Sequence, residues 1–579
     1  MERGSRLFLF LALFGALYFF FGTTGDKVSE AAAVPGVQLK RPEGKRPTPE
    51  QCDIWTEYVR TRISTAGGSL ISHEPLTAKY RKHNKALELV TTPTHAELSP
   101  LYTNFRSAAD IRGEKEWLVQ TDIQDFTITE SSAQSCTLTF ENDRVRIVKT
   151  FSAGSSPYTL DLTTSVTNLD KATHPYAFSV EMGSYLLDDK VQSKMFRMNP
   201  LMTHVECFSK DGEITRERVE DFSPDDFDDR ERFRQNSINS GVWSQPTGKA
   251  TLAAVSNAYF SGAIAHDEGP ASPVCLLQID ERWNRAKWAS NDDDPLSGAI
   301  YQARLAYESR DLKAGATETY RFKAFIGPKE RQSLSDAGAR FEPLIDLGFF
   351  SYIAEVLVTY LMWLYQIVPS WGWAIILLTI TAKALLFPLT WPSVKNMIHM
   401  RELKPEMDKL TEQYKDDPQA KGLAQMQLWK KHGVNPMKGC LPQLISMPVW
   451  FALYTTLQTA VELYNIPFLW FPDLSESDPY YILPFVIGVV FFAQQKLMPM
   501  QGDPAQQKMM MYFMPGMFTV FMLFLPAGLG VYMFTNSLLG IAQQQWIERH
   551  TKKSIQARRN QVEVTQTPPA PKKKKNKRS

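Results

Sequence analysis

A single lysine lies inside a long apolar run of this sequence. Residues 371–392 read WGWAIILLTITAKALLFPLTWP, and Lys383 is the one charged side chain among them. A run of about 20 apolar residues is long enough to cross a bilayer as a helix, and a charge inside it costs about 2.5 to 3.5 kcal/mol on insertion scales. Such charges usually face water or a polar partner, so Lys383 marks a candidate site within a membrane-spanning region.

Polar side chains in other apolar runs are candidates for the same site. Thr379 lies one helical turn before Lys383 on the same face. The remaining candidates for polar walls are Gln443, Ser446, Gln494, Gln495, Tyr532 and Asn536. No acid lies in the apolar centre of another run, and snorkelling to the cytoplasmic interface would require a reach of about 12 Å. We therefore expect a wet cavity open to the cytoplasm, with snorkelling as the alternative.

No group of residues predicts catalysis. The five cysteines lack the spacing of zinc or haem sites, so we expect no metal and no cofactor. Four of them lie in the polar region: Cys52, Cys136, Cys207 and Cys275. These four could pair in three ways or remain free thiols. We predict that the protein is not an enzyme and has no catalytic residue.

The chain divides into a polar part and an apolar part, which the net charge of +2 conceals. Residues 1–25 combine two arginines with about sixteen apolar residues, which predicts an uncleaved signal anchor with a cytoplasmic N-terminus; a cleaved signal peptide is the alternative. Residues 26–50 have the composition of a linker. Within 51–340, short alternating patterns such as YTLDLTTSVTNL and ETYRFKAFIG predict a large all-β sandwich.

The topology of the apolar part follows from the charges of its loops. Four further runs are long enough to span a membrane: 439–464, 480–497, 509–525 and 529–546. The loop 393–438 carries nine Lys or Arg against six acids, so the positive-inside rule places it in the cytoplasm. That placement requires the apolar run within 341–370 to lie flat in the interface as an amphipathic helix. A five-crossing core over 371–546 follows, with residues 26–345 outside the cytoplasm.

Two segments predicted to be cytoplasmic are basic. Within 393–438, Pro405 suits the first turn of a helix and Gly433 suits a C-cap, which predicts a charged helical hairpin. The tail 547–579 ends in PPAPKKKKNKRS. Its lysines could bind anionic lipid, contact ribosomal RNA or enforce the topology.

The apolar part resembles the YidC membrane protein insertases. The matching stretches are KKHGVNPMKGCLPQLISMPVWFALYTTL from Lys430, DPYYILPFVIGVV from Asp478, DPAQQKMMMYFMPGMFTVF from Asp503 and PAGLGVYMFTNSLLGIAQQQ from Pro526. With its exported β domain, the sequence is similar to the Gram-negative bacterial type. The resemblance implies a multi-domain membrane protein of the inner membrane, with an all-α core, a β-supersandwich domain outside, and both termini in the cytoplasm.

The resemblance also implies a role for the lysine. In that family a basic residue on the first core crossing lies in a hydrophilic groove that is open to cytoplasm and lipid and closed to the outside. Lys383 matches it, five residues before Pro-Leu-Thr, although arginine is the usual residue and lysine lacks its forked donor geometry. The implied partners are nascent membrane proteins, the lipid bilayer, the Sec translocon and, at the hairpin and tail, the ribosome. No small-molecule substrate is expected.

Two other function classes remain open. Lys383 could bind an anionic solute in a transporter or channel, although the spans show no internal repeat. The β region could instead be a sugar-binding or sugar-modifying domain on an anchor, which rests on analogy of fold alone.

Overall fold

The structure, a computed structural model, describes part of the chain between residues 48 and 566. The gaps within that range are 83–84, 93–97, 107–123, 188–202, 219–245, 247, 281–297, 349, 415–416, 435–446, 448, 450, 458 and 498–508. The predicted N-terminal anchor and the lysine-rich end of the tail therefore lie outside the described residues.

The polar half folds into β-strands whose lengths match the short alternating patterns. They are β1 (Gln51–Trp55), β2 (Val59–Ser64), β3 (Ser69–Pro75), β4 (Arg81–Lys82), β5 (Lys85–Ala86), β6 (Tyr102–Arg106), β7 (Thr127–Ser131), β8 (Ser135–Glu141), β9 (Val145–Ala153), β10 (Thr159–Asn168), β11 (His174–Leu187), β12 (His204–Ser209), β13 (Ile214–Glu217), β14 (Ala250–Ser256), β15 (Phe260–Glu268), β16 (Val274–Asp280), β17 (Gly298–Ala306), β18 (Arg310–Leu312) and β19 (Thr317–Pro328).

Two large antiparallel sheets form a sandwich. The larger has nine strands in the order β13-β12-β14-β15-β19-β10-β9-β8-β7, and the smaller has the order β16-β17-β11-β18 with β6 also paired to β11. Small sheets of β1-β2-β3 and β4-β5 flank them. Because burial alternates along β10, one side of each strand enters the core, where side chains of both sheets pack together. The predicted all-β sandwich is confirmed.

Two disulfides join separate parts of this β domain. Cys52 of β1 is bonded to Cys136 of β8, and Cys207 of β12 is bonded to Cys275 of β16. The second bond connects the nine-stranded sheet to the five-stranded sheet. Of the three pairings that the sequence left open, the structure has this one.

The apolar half is helical, as predicted for the core. The first helix, α1 (Arg331–Ala337), still lies within the predicted β region. The others are α2 (Ser351–Ile367), α3 (Trp371–Glu402), α4 (Lys404–Gln413), α5 (Pro418–Lys431), α6 (Ile482–Leu497), α7 (Met514–Met522) and α8 (Ala527–Gln566). Residues 451–457 are also helical, and a π-helical turn at Met509–Phe513 leads into α7.

Helix α3 carries the candidate lysine. It has 32 residues, so it is about 48 Å long, which exceeds a hydrocarbon core of about 30 Å. It continues through Pro388 and Pro392 into the segment predicted as the hairpin. Among the described residues, α3 alone is long and apolar enough to cross a membrane by length and composition, while α6 and Met509–Met522 are apolar but shorter.

Helix α2 carries large apolar side chains on both its buried and its exposed face. One face is buried against the core through Ala354, Val358, Leu361 and Leu364. The other face exposes large apolar side chains, which include Tyr352, Val356, Trp363 and Ile367. The amphipathic character and the position flat in the interface both stay predictions.

The helical hairpin begins and ends at the residues that the sequence indicated. Pro405 lies in the first turn of α4. The carboxylate of Asp417 accepts hydrogen bonds from the backbone N–H groups of Gln419 and Ala420, both at 3.0 Å, and so caps α5. Gly433 follows α5 with a φ of 63°, the left-handed conformation that ends many helices.

The β domain contacts the helical core at Tyr464 and Asn465. The ring of Tyr464 packs among three aromatic rings of the β domain, those of Tyr80, Tyr259 and Phe260. The side-chain amide of Asn465 donates to the carbonyls of Lys79 at 2.9 Å and Arg81 at 3.1 Å. The β domain and the loop 465–479 therefore lie at the same end of the core.

Candidate functional site

Lys383 lies part-way along α3, about 18 Å from Trp371 at 1.5 Å per residue. Its side chain is half-buried, unlike that of Thr379, which is 1 % exposed. The Thr379 hydroxyl donates to the carbonyl of Ile375 at 2.7 Å, so its proton is used within the same helix. Thr379 therefore belongs to the packed part of α3, and Lys383 lies where that packing ends.

Three helices converge on the Lys383 ammonium group. A Cβ placed on Gly540 of α8 would lie 3.9 Å from Nζ of Lys383 and 3.4 Å from Nε2 of Gln494 on α6. These are ordinary contact distances, so the lysine and the glutamine both border the position where Gly540 has no side chain. The structure thus brings together two of the predicted residues, from helices more than 100 positions apart in the chain.

Among the described residues, the Lys383 ammonium group has no carboxylate partner. Within the part of the chain that the structure describes, no acidic oxygen lies within 4.0 Å of it. The acids of the loop 465–479 are used locally instead, since Asp478 accepts from the backbone N–H groups of Tyr480 (3.0 Å) and Leu483 (2.7 Å) at the start of α6. The site can therefore attract an anionic group without first breaking an ion pair.

Polar side chains continue along one face of α8. Tyr532, Asn536, Gly540 and Gln543 follow one another at spacings of four, four and three, which places them on one side of the helix. Tyr532 is buried and Asn536 is half-buried. Gln543 donates through Nε2 to Oγ1 of Thr390 on α3, at 2.5 Å. Thr390 and Gly540 were not among the predicted site residues.

Within the described residues, the structure does not bring the other predicted wall residues to the same position. Gln495 is half-buried but follows Gln494 directly, so it lies about 100° away around α6. Gln443 and Ser446 lie outside the described residues. The spacing of α8 could have indicated Gly540, because a small residue between Asn536 and Gln543 completes the same face.

The loop 465–479 covers the end of the core that contacts the β domain. The Phe468 ring lies against Gly372 of α3 so closely that a Cβ there would be 2.3 Å from it. The backbone N–H of Gly528, at the start of α8, donates to the Leu474 carbonyl at 2.8 Å. Burial raises the pKa of Asp473, whose carboxyl accepts hydrogen bonds from Ser475 within the loop. The loop is thus packed across the ends of α3 and α8.

Two family models together match most of the chain. The model described as "YidC periplasmic domain" matches residues 51–360, which is the β domain and the start of the helical part. The model described as "60Kd inner membrane protein" matches residues 363–554, which contain Lys383, Gln494 and Gly540.

Similar proteins bear the name of a membrane protein insertase. A "Membrane protein insertase YidC" of Anaeromyxobacter dehalogenans (strain 2CP-C) is 35 % identical over 496 residues, 85 % of this chain and 83 % of the relative. One of Anaeromyxobacter sp. (strain Fw109-5) is 48 % identical over 239 residues, 41 % of this chain and 44 % of the relative. A crystal structure titled "Active YidC insertase" covers 94 % of this chain and 99 % of its own at 18 % identity, with a TM-score of 0.34. On the family models and the relatives, this chain belongs to the YidC family of membrane protein insertases.

Proposed function

We propose that this chain inserts proteins into the membrane by receiving the polar flank of a client at Lys383. The observation that carries the proposal is the convergence of α3, α6 and α8 on an ammonium group that is half-buried and lacks a carboxylate partner among the described residues. Gly540 leaves space beside that group. Such an arrangement fits a hydrated recess within the membrane-spanning region.

The mechanism is physical, because no bond is made or broken. A hydrophobic client segment with a short acidic flank meets the recess, where water and one positive charge lower the free energy of bringing the flank into the bilayer. The apolar segment then moves into lipid along the exposed faces of neighbouring helices. Such a face includes Phe485 and Val489 of α6, which are 63 % and 69 % exposed.

The direction of opening follows from the two ends of the core. The loop 465–479 is packed across the end that also contacts the β domain. The hairpin of α4 and α5 lies beyond the other end of α3. With the basic hairpin in the cytoplasm, the recess would open inward and the β domain would lie in the periplasm of a bacterial cell with an inner membrane.

The proposed partners follow from the same placement. Nascent membrane proteins are the clients, and the basic hairpin and tail would bring the chain close to ribosomes. Cooperation with the Sec translocon is proposed from family membership.

Substitutions of Lys383 test the proposal. In proteoliposomes that contain the full chain, Lys383→Arg should insert a single-span client with an acidic flank at the normal rate, and Lys383→Glu should slow it. A client whose flank is neutral serves as the matched control, and its insertion should change less. Equal insertion of the acidic-flank client by the unmodified chain and both variants would show that the charge at position 383 has no role in insertion. A crosslinker at position 383 should also capture ribosome-bound nascent chains of the client.

A further inference from the structure

The inner ends of three helices are joined at one backbone carbonyl. Leu497 is the last residue of α6, and its carbonyl accepts from Nε2 of Gln544 on α8 at 2.8 Å and from Nη1 of Arg401 on α3 at 3.3 Å. Arg401 also forms an ion pair with Glu548 of α8. We call Arg401, Leu497, Gln544 and Glu548 the inner junction.

The inner junction is a favourable set of contacts. The last carbonyls of a helix have no partner within that helix, and the C-terminus carries a partial negative charge that a guanidinium stabilises. The side chains of Arg401 and Glu548 are 29 % and 17 % exposed, so solvent screens their attraction only in part. Arg401 thereby binds α6 and α8 at once, which a lysine could not do with the same fork geometry.

The inner junction lies at the base of the helical hairpin. Next to Arg401, Met400 and Leu403 of the α3 end form a small buried cluster with Val434, which follows α5. Helix α4 starts at Lys404, directly after Leu403. The end of α3 therefore connects the hairpin on one side to α6 and α8 on the other.

The inner junction also lies close to the recess. Gln494 and Lys383 both border the open position at Gly540, and Gln494 precedes Leu497 by three residues in the final turn of α6. A helical turn moves nearly as a rigid unit, so a shift of the Leu497 carbonyl would shift the Gln494 amide with it.

We propose that Arg401 is a positioning residue, which through Leu497 and Glu548 holds the last turn of α6, and with it Gln494, against Lys383. This inference rests on the proposed function of Lys383. It adds that Arg401 sets how far the last turn of α6 lies from Lys383, and therefore how wide the recess is. Arg401 itself need not touch the client. A movement of the hairpin would shift Arg401 and, through it, the Gln494 side of the recess.

A charge exchange tests the inner junction on the full chain in proteoliposomes. Arg401→Glu and Glu548→Arg should each slow insertion of the acidic-flank client by about five- to tenfold, as expected for a coupled pair. The double exchange restores the ion pair, but a carboxylate at position 401 cannot donate to the Leu497 carbonyl, so it should recover only part of the rate. Glu402→Arg is the matched control, because Glu402 is adjacent, 43 % exposed, and lies 3.9 Å from His399 of its own helix. Its insertion rate should stay unchanged.

A second readout reports the position of α6 directly. With Cys440→Ser as background, the pair Gln494→Cys and Gly540→Cys should form a disulfide quickly on mild oxidation and slowly with Arg401→Glu added. The double exchange should leave it slow, because the hydrogen bond to the Leu497 carbonyl is still missing. Crosslinking that is equally fast with and without Arg401→Glu would overturn the positioning role. A double exchange that restores fast crosslinking would overturn the role of the Leu497 carbonyl, because the double exchange lacks that hydrogen bond. Failure of the Lys383 substitutions alone would instead refute the proposed function, since the crosslinking readout does not depend on client charge.

Discussion

The Gly540 position gives a sharp prediction, because the structure specifies what a side chain there would meet. A Cβ at Gly540 fits at 3.4 Å from Nε2 of Gln494 and 3.9 Å from Nζ of Lys383. Alanine should therefore be accommodated, and in a helix interior it should stabilise the fold by about 0.5 to 1 kcal/mol relative to glycine. Leucine adds three carbons beyond Cβ, and these would occupy the space beside the ammonium group.

The size of the leucine effect follows from the cost of a charge in the bilayer. Insertion scales give about 2.5 to 3.5 kcal/mol for a charged residue at the centre of a helix. If the hydrated recess removes about half of that cost for an acidic flank, its loss would slow insertion by roughly 10- to 20-fold, at about 1.4 kcal/mol per factor of ten. Gly540→Ala should change the rate much less.

The assay is insertion of an acidic-flank client into proteoliposomes, scored by protection from added protease. Gly516→Leu is the matched control, because a Cβ on Gly516 of α7 would meet nothing within 4 Å. That variant should insert the client at the normal rate. If Gly540→Leu were as active as Gly516→Leu while both proteins remained folded, the space beside Lys383 would have no part in insertion.

Two further predictions concern the β domain. Cys207→Ser with Cys275→Ser removes a bond between residues 68 apart, so we expect the free energy of unfolding to fall by about 4 kcal/mol in a guanidinium titration of the full chain; an unchanged midpoint would contradict this. Burial alone would raise the pKa of Glu206, but His204, Lys329 and Arg216 outweigh it and lower the pKa below its ordinary value of 4.5. The ionised carboxylate therefore stabilises the folded state above that value, and this stabilisation is lost as pH falls through the lower folded pKa. The thermal unfolding temperature should fall in acid, and it should fall less steeply in Glu206→Gln than in the unmodified chain. Parallel curves of unfolding temperature against pH for the two proteins would contradict the lowered pKa of Glu206.

Local sequence patterns predicted the local structure well. Alternation along 159–168 indicated a strand with one buried side, and Pro405 and Gly433 indicated where the hairpin helices begin and end. Each of these signals acts within a few residues, because side-chain period, proline geometry and glycine at positive φ are properties of the local backbone.

Long-range pairing could not be read in the same way. Four cysteines allowed three pairings, and only the sheet topology brings Cys207 of β12 to Cys275 of β16. The inner junction was missed because Arg401 and Glu548 lie 147 positions apart, and each looks like an ordinary charge near a helix end. Lys383 was identifiable because a charge in an apolar run is costly whatever its partners are.

The central claim is that Lys383 lies in a hydrated recess that opens to the cytoplasm. The most direct measurement is the labelling of Lys383→Cys, on a Cys440→Ser background, by a membrane-impermeant thiol reagent in oriented vesicles. We predict rapid modification when the reagent is on the cytoplasmic side and almost none when it is on the side of the β domain. Protection from both sides would indicate a dry position, and modification from the β-domain side would indicate an opening in the other direction; either result would contradict the account.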